Sequence, residues 1–300
     1  PQPDAEERQA RCLRVLRECS SLGITQIHQM DGDAESFLLA EELEASGGLP
    51  LRLIIALWHK PGTSSDVREE QLALRMRHGR LWRGGVVKFF ADGVIDNGTA
   101  WLLEPDTRGG SLEPFWPSVS AYEEAVRCFA DAGFQCVTHA TGDGAVRAAL
   151  DAYRRCGAAI GVRHRIEHIE TLQDSDLQRF AAEGVVASMQ PLHMQWRHDD
   201  GSDWWTEMLG PERAARAWLC GDLVDTGAIV PFGSDWPVAS FDPRVGMAWV
   251  RLRREPGTNR PPFEPEQRLS GLQALAGYTT MAAAAVGEES IAGRIAEGFR

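Results

Sequence analysis

The stretch HRIEHIETLQDSDLQRFAAEGVVASMQP, residues 164–191, reads as strand, helix, strand. Residues 165–169 (RIEHI) and 185–189 (VVASM) read as short strands, and 174–183 has the length and polar face of a helix between them. Two strands joined through a helix run parallel, because a crossover of that length returns the chain to the same end of the sheet. The same rhythm extends upstream. Strands are expected at 24–29, 51–58 (LRLIIALW), 86–90 (VVKFF) and 134–139, with helices at 4–21, 34–45, 66–80, 119–132 and 144–156. Downstream come a helix at 211–226, a strand at 229–233 and a long closing helix at 265–286, which Pro265 and Glu266 would start.

Seven strands, each followed by a helix, with one extra helix in front, describe a parallel α/β sheet with helices outside. The count fits a (β/α)8 TIM-type barrel that lacks strand 1 but keeps the first helix, with residues 1–300 as one incomplete barrel domain. An open doubly wound sheet is the alternative. No Gly-rich dinucleotide fingerprint follows the first strand to favour it.

Composition sets outer limits. The 300 residues are 43% hydrophobic and 25% charged, enough for a sizeable core, and the formal net charge of −12 argues against nucleic acid or an anionic membrane as partner. No run is long and apolar enough to span a bilayer. The six cysteines (Cys12, Cys19, Cys128, Cys136, Cys156, Cys220) form no CxxC pair, a usage expected of a reducing cytoplasm.

In a parallel barrel the chemistry sits at the carboxyl ends of the strands. Counted from the absent first strand, the fourth carries Lys88, with Phe90 and Asp92 two and four residues on. The fifth ends in His139, the sixth in His168 and the eighth in Asp235. Each has an ordinary explanation. A strand-end histidine can be a hydrogen-bonded structural residue, Lys88 can neutralise a buried Asp92 or Asp235, and Asp235 can cap the turn into Trp236-Pro237. Together, four such groups on four strand ends form a donor set of nitrogens and oxygens for a divalent metal.

Other residues are read more openly. His164 lies deeper on its strand and suits a core role, whereas His28 ends the first visible strand and could support the site or hydrogen-bond substrate. Asp92 is a further substrate-side candidate. The connection LHMQWRHDDGSDWWTEMLG (192–210) brings His193, Met194, Trp196, Trp204 and Trp205. It is either a lid that packs on itself or an apolar substrate wall, with His193 and Trp196 as the substrate contacts. Trp101, Phe115 and Trp116 divide in the same way between pocket and packing. Asp143 is expected to cap helix 144–156. The glycines of HATGDGA (139–145) resemble a phosphate nest only superficially.

Four blocks carry a family resemblance: GVVKFFADGVIDNGTA (85–100), HATGDGAVRAALDAY (139–153), residues 164–191 quoted above, and GSDWPVASFDPRVGM (233–247). They resemble, in order, the signature blocks of amidohydrolase family 3 in the metal-dependent amidohydrolase superfamily, a group that includes the N-substituted formamide deformylases. GRIAEG (293–298) is similar to the family's return to its small β-sandwich, so 288–300 would begin that missing domain. The resemblance implies hydrolysis of a C–N bond in a small amide, N-acyl or N-formyl amine by metal-activated water. It implies one or two divalent ions, zinc foremost. Lys88 would be carbamylated and bridge the metals, His139 and His168 would hold the second metal, and Asp235 would bind the first and move the proton.

The family pattern is broken in two places. Its first strand carries an HxH pair, and no HxH occurs in these residues; the sandwich is also missing. With Pro1 rather than Met at the start, a fragment of a longer protein is the expected explanation. The rival is a catalytically incomplete binding or assembly module. A barrel isomerase or lyase using Lys88 as an amine nucleophile is a third reading. A missing strand would leave sheet edges open to pairing, so a homodimer is expected.

Overall fold

The computed structural model describes residues 4–300. Asp4 opens α1 (Ala5–Ser21) by accepting a hydrogen bond from the Glu7 N–H at 2.8 Å. Strands and helices then alternate: β1 (Gln26–Gly32), α2 (Ala34–Ala45), β2 (Arg52–Trp58), α3 (Ser65–Ala73), β3 (Trp82–Phe90), α4 (Val119–Asp131), β4 (Gln135–Ala140), α5 (Asp143–Cys156), β5 (Arg165–His168), α6 (Asp174–Ala182) and β6 (Val186–Ser188). A 3-10 helix (Pro191–Trp196) and three short helices follow, α7 (Trp204–Leu209), α8 (Pro211–Ala214) and α9 (Cys220–Asp225). The chain closes with α10 (Pro243–Leu252), α11 (Gly271–Tyr278) and α12 (Thr280–Ala284).

All six strands are parallel, in the spatial order β1-β2-β3-β4-β5-β6. A doubly wound sheet reverses its strand order at a switch point, and this one does not. The sheet is therefore a curled, barrel-like α/β sheet, consistent with part of a TIM-like barrel. The eight-strand count is not reached among the described residues.

The expected strand at 229–233 illustrates why. It lies beside β6, with Ala187 N–H donating to Ile229 O (2.9 Å), Met189 N–H to Pro231 O (3.1 Å) and Gly233 N–H to Met189 O (3.0 Å). Pro231 has no N–H to give back, and the Phe232 N–H turns away to Gly277 O at 3.0 Å. Only one isolated bridge, Met189 to Phe232, survives as ladder.

The long helices expected near the end are likewise broken. Helix 211–226 is interrupted where Trp218 adopts φ +46°, and helix 265–286 divides at Thr279, with φ −129° and ψ −88°. The sequence reading missed α10, although Asp242 caps it and Pro243 sits in its first turn. Residues 288–300 form turns and irregular structure.

Alternation along the strands divides the core. Ile55, Leu57, Val87 and Phe89 face the helices, whereas Ile54, Ala56, Val86 and Val137 form a separate inner cluster with Met30 and Val286 against it. Lys88 and His139 continue the inner rows above Val86 and Val137.

Candidate metal centre

Lys88 and His139 reach the interior by simple strand parity. Lys88 is buried, and burial lowers its pKa to about 8, against the opposing pull of Glu167. Its ammonium makes no hydrogen bond among the described residues and stands 5.2 Å from the centre of the Phe90 ring. Phe90 in turn stacks on His139, 4.6 Å between centroids. His139 Nε2 is 2.8 Å from Gly93 O. A carbonyl only accepts, so Nε2 carries the proton and Nδ1 keeps its lone pair. Burial, then the Lys88 charge, lowers the His139 pKa to about 3, so this imidazole is neutral.

His168 arrives differently. Register places Glu167, not His168, beside His139 on the inner face of the sheet. The backbone corrects this at the strand end: His168 and Ile169 both adopt left-handed conformations, φ +78° and +52°. His168 then lies 4.3 Å from His139 between ring centroids. Burial holds it, too, well below the usual histidine range. Asp235 also sits at positive φ, +57°. Three non-glycine residues in a region that L-residues avoid is a cost that clusters at functional sites.

His193, on the 3-10 helix after β6, completes the group. Its ring stacks on His168 at 5.8 Å and 19°, and its Nε2 is 3.7 Å from Asp235 Oδ2. His168, His193 and Asp235 each offer a ligand atom, and these atoms lie within 4.8 Å of one another. Asp235 is at the rim, partly exposed, with its pKa raised by burial and pulled back by His193 and Lys88. The His193 Nε2 is buried without a hydrogen-bond partner. Neutral imidazoles, a carboxylate and an orphaned buried nitrogen are a donor set that fits a divalent ion of borderline softness.

Two of the sequence candidates are placed elsewhere. Asp92 does not face open space. Its carboxylate accepts from the N–H groups of Trp101 (3.0 Å), Thr141 (3.0 Å) and Gly142 (2.9 Å) and from Thr141 Oγ1 (3.2 Å). Burial nevertheless pushes its pKa up to about 7. It ties down the loop after β4, beside His139, with both carboxylate oxygens engaged by the protein. His28 lies within β1 rather than at its end, and its Nδ1 is 2.9 Å from an Arg165 guanidinium nitrogen, so its hydrogen bond is spent on the protein. Arg165 also pairs with Glu167.

Asp143 is not a cap either. Gly142 holds the cap position, and Asp143 accepts from Leu103 N–H (2.9 Å) and Gln173 Nε2 (2.6 Å). His164 is a strand-base residue, bonded to Cys136 N and Gly157 O. The tryptophans of the 192–210 connection divide between interior and surface. Trp205 packs inside, whereas Trp196 is half exposed with its ring 5.0 Å from His193.

The sequence reading missed Glu167, Arg165 and Glu170. All three stand in the segment HRIEHIE, whose inward register was credited to its histidines alone.

A cluster that could hold a metal ion thus lies at the carboxyl ends of a sequentially ordered parallel sheet, the end at which barrel enzymes carry their chemistry. The family model described as "Amidohydrolase family" matches residues 1–300, and the chain belongs to that family. It is 28% identical over 298 residues to "Putative amidohydrolase YtcJ" of Bacillus subtilis (strain 168), covering 95% of this chain and 53% of that protein. It is 27% identical over 231 residues to an N-substituted formamide deformylase of Arthrobacter pascens, covering 73% and 40%. Among solved structures, an uncharacterized metal-dependent hydrolase from Pyrococcus furiosus superimposes with a TM-score of 0.82 at 27% identity, covering 98% of this chain and 58% of that one. The chain thus spans about half the length of the curated relatives it matches. No helix among the described residues is long and apolar enough to cross a membrane, and the six cysteines are free thiols.

Proposed function

We propose that this chain is the larger part of an eight-stranded barrel in a metal-dependent hydrolase that cleaves C–N bonds of small amides, N-acyl amines or N-formyl amines. The observation that carries the reading is the convergence of His168, His193 and Asp235 beside His139 and Lys88, in a chain of the amidohydrolase family. His139, His168 and Asp235 would hold a divalent ion, zinc first among candidates. Lys88, a buried amine lowered to about 8, is suited to react as the free base with CO2. The new N–C bond displaces a proton and leaves a carboxylate able to bridge a second ion. When bound, the ion polarises a carbonyl and lowers the pKa of water.

The protein's part is then positional. Neutral His139 and His168 give lone pairs without first shedding protons, and the sheet interior excludes bulk water. Asp235, at the rim, would take a proton from water and return it to the departing nitrogen. Trp196, half exposed beside His193, would cover an apolar substituent of the substrate. The rival is a binding or assembly module built on the same barrel.

One experiment separates them. In the full-length protein, Asp235→Asn should abolish amide turnover, and His168→Ala should lower both turnover and metal content by elemental analysis. Unchanged activity in both variants would overturn the hydrolase assignment, and a metal-free wild-type protein would favour the module.

A further inference from the structure

Glu170 lies two residues beyond His168, past the left-handed turn that ends β5. Its Oε2 accepts from the Trp205 indole Nε1–H at 2.7 Å, and its Oε1 faces His193 Nδ1 at 3.7 Å. The carboxylate is fixed from behind. Trp205 stacks on Trp218 at 4.7 Å and 21°, and the Trp218 N–H donates to the Glu170 main-chain oxygen at 3.0 Å. Two adjacent tryptophans therefore hold both the side chain and the backbone of one glutamate.

The chemistry of these partners is directional. An indole nitrogen only donates, so the oxygen facing it must accept, and an ionised carboxylate leaves the other oxygen an acceptor as well. Only an Nδ1–H can face Oε1 favourably. A neutral imidazole protonated there keeps its lone pair on Nε2. That nitrogen is the buried atom without a partner, 3.7 Å from Asp235 Oδ2. The 3.7 Å gap between Glu170 and His193 exceeds a hydrogen bond, and contacts of this kind commonly tighten as a site is loaded.

We propose that Glu170 is a positioning residue that holds His193 in the Nδ1–H form, with the Nε2 lone pair turned to the centre it shares with His168 and Asp235. The proposal rests on the reading that a divalent ion occupies that centre. His193 thereby becomes a ligand rather than the substrate contact expected from the sequence. Glu170 acts through it, as carboxylates behind metal-binding histidines do.

The donor-only indole makes the test sharp. In Glu170→Gln, the amide oxygen must take the Trp205 N–H, so the amide NH2 faces Nδ1. The His193 proton then moves to Nε2, and the lone pair is lost to the centre. In Glu170→Gln with Trp205→Phe, no indole fixes the amide, which can flip and restore Nδ1–H.

Zinc affinity is measured in the full-length protein by competition with a chromophoric chelator, and the His193 tautomer by 15N-histidine NMR with and without zinc. Glu170→Gln should bind zinc roughly 10- to 100-fold more weakly, show Nε2–H at His193 and keep its circular dichroism spectrum. The double variant should bind more tightly than Glu170→Gln alone. Wild-type zinc affinity in Glu170→Gln, an Nδ1–H signal retained there, or a doubly protonated His193 in the zinc-loaded wild type would each overturn the proposal. A wild-type chain that takes up no zinc would instead sink the metal reading, and the tautomer measured without zinc still decides the role of Glu170.

Discussion

Arg253 is fully buried at the end of α10, in a left-handed conformation with φ +54°. No carboxylate pairs with it among the described residues. Its guanidinium instead donates to three main-chain oxygens: Phe263 O (2.8 Å), Trp218 O (2.9 Å) and Ala217 O (3.2 Å). Burial lowers its pKa, so desolvation of the charge opposes folding. The two effects can be compared. Arg253→Met keeps most of the stem and removes the buried charge, which recovers desolvation energy. It also strands three buried carbonyls at about 1–3 kcal/mol each. Even at the low end of that range three carbonyls outweigh the recovered desolvation, and about 3 kcal/mol is expected here. For a chain of this size, at about 2.1 cal/mol/K of unfolding entropy per residue, that corresponds to a fall in Tm of roughly 5 °C. Urea unfolding with unchanged slope and a lower midpoint is the assay. Arg253→Lys retains the charge but not the fork that reaches three diverging oxygens, and should lose comparable stability. A Met variant as stable as wild type would show that desolvation dominates, and a fully stable Lys variant would show that charge alone suffices; either refutes the argument. The loss should also be felt at the site, since Trp218 carries both one of these carbonyls and the stack against Trp205.

Gly142→Ala would place its Cβ 2.2 Å from Trp101 O and 2.6 Å from the Trp101 carbonyl carbon, both main-chain atoms that cannot swing aside. Overpacking of about 1–3 kcal/mol is expected, with a displaced Asp92 loop and weaker turnover; an unperturbed melting curve would refute it. Burial keeps the pKa of His164 below the ordinary 6.5, and that of His28 well below it. The unfolded chain takes up these protons as pH falls below 6.5 while the folded chain does not, so stability drops from there down to the lower folded values. The slope is up to about 1.4 kcal/mol per pH unit for each histidine. Urea midpoints at about pH 7.5 and about pH 5.5 measure it, and His164→Asn should flatten it; an unchanged slope would count against this origin.

The βαβ rhythm of the first six strands was legible, because a strand buried on both faces, such as LRLIIALW, announces itself by composition alone. So were the strand-end positions of Lys88 and His139, which follow from counting residues along β3 and β4. What composition could not show was where the main chain leaves the ladder. The run at 229–233 reads as a strand, yet Pro231, which faces β6, has no N–H to donate, and the pairing is reduced to one bridge. The helix expected over 211–226 opens on good helix formers, Glu212 to Ala217, yet contacts of the Trp218 main chain with Glu170 and Arg253 accompany its φ of +46°. The connection that carries His193 has no periodicity to orient that residue toward His168 and Asp235. Strand parity gives the direction of Asp92 but not the loop that folds over it.

His168 and Asp235 show how the backbone, rather than the side-chain pattern, assembles the centre. On a regular strand, Glu167 and His168 would point to opposite faces, and only one could enter the barrel. The register gives that place to Glu167, which pairs with Arg165 beneath Lys88. Two successive left-handed residues, His168 and Ile169, bring the imidazole round as well, so a carboxylate and an imidazole adjacent in sequence both face the interior. Glu170 emerges from the same turn already aimed at His193. Each left-handed non-glycine residue costs about 1–3 kcal/mol, and nothing in the packing of β5 requires the turn for its own sake. The strain persists because the surrounding hydrogen bonds over-determine it: Ile169 N–H to Ala140 O at 3.0 Å, Thr171 N–H to Thr141 O at 3.1 Å, and the Trp218 N–H on Glu170. The turn is thus held against its own torsional preference, and within four residues it turns Glu167, His168 and Glu170 toward one region of the interior.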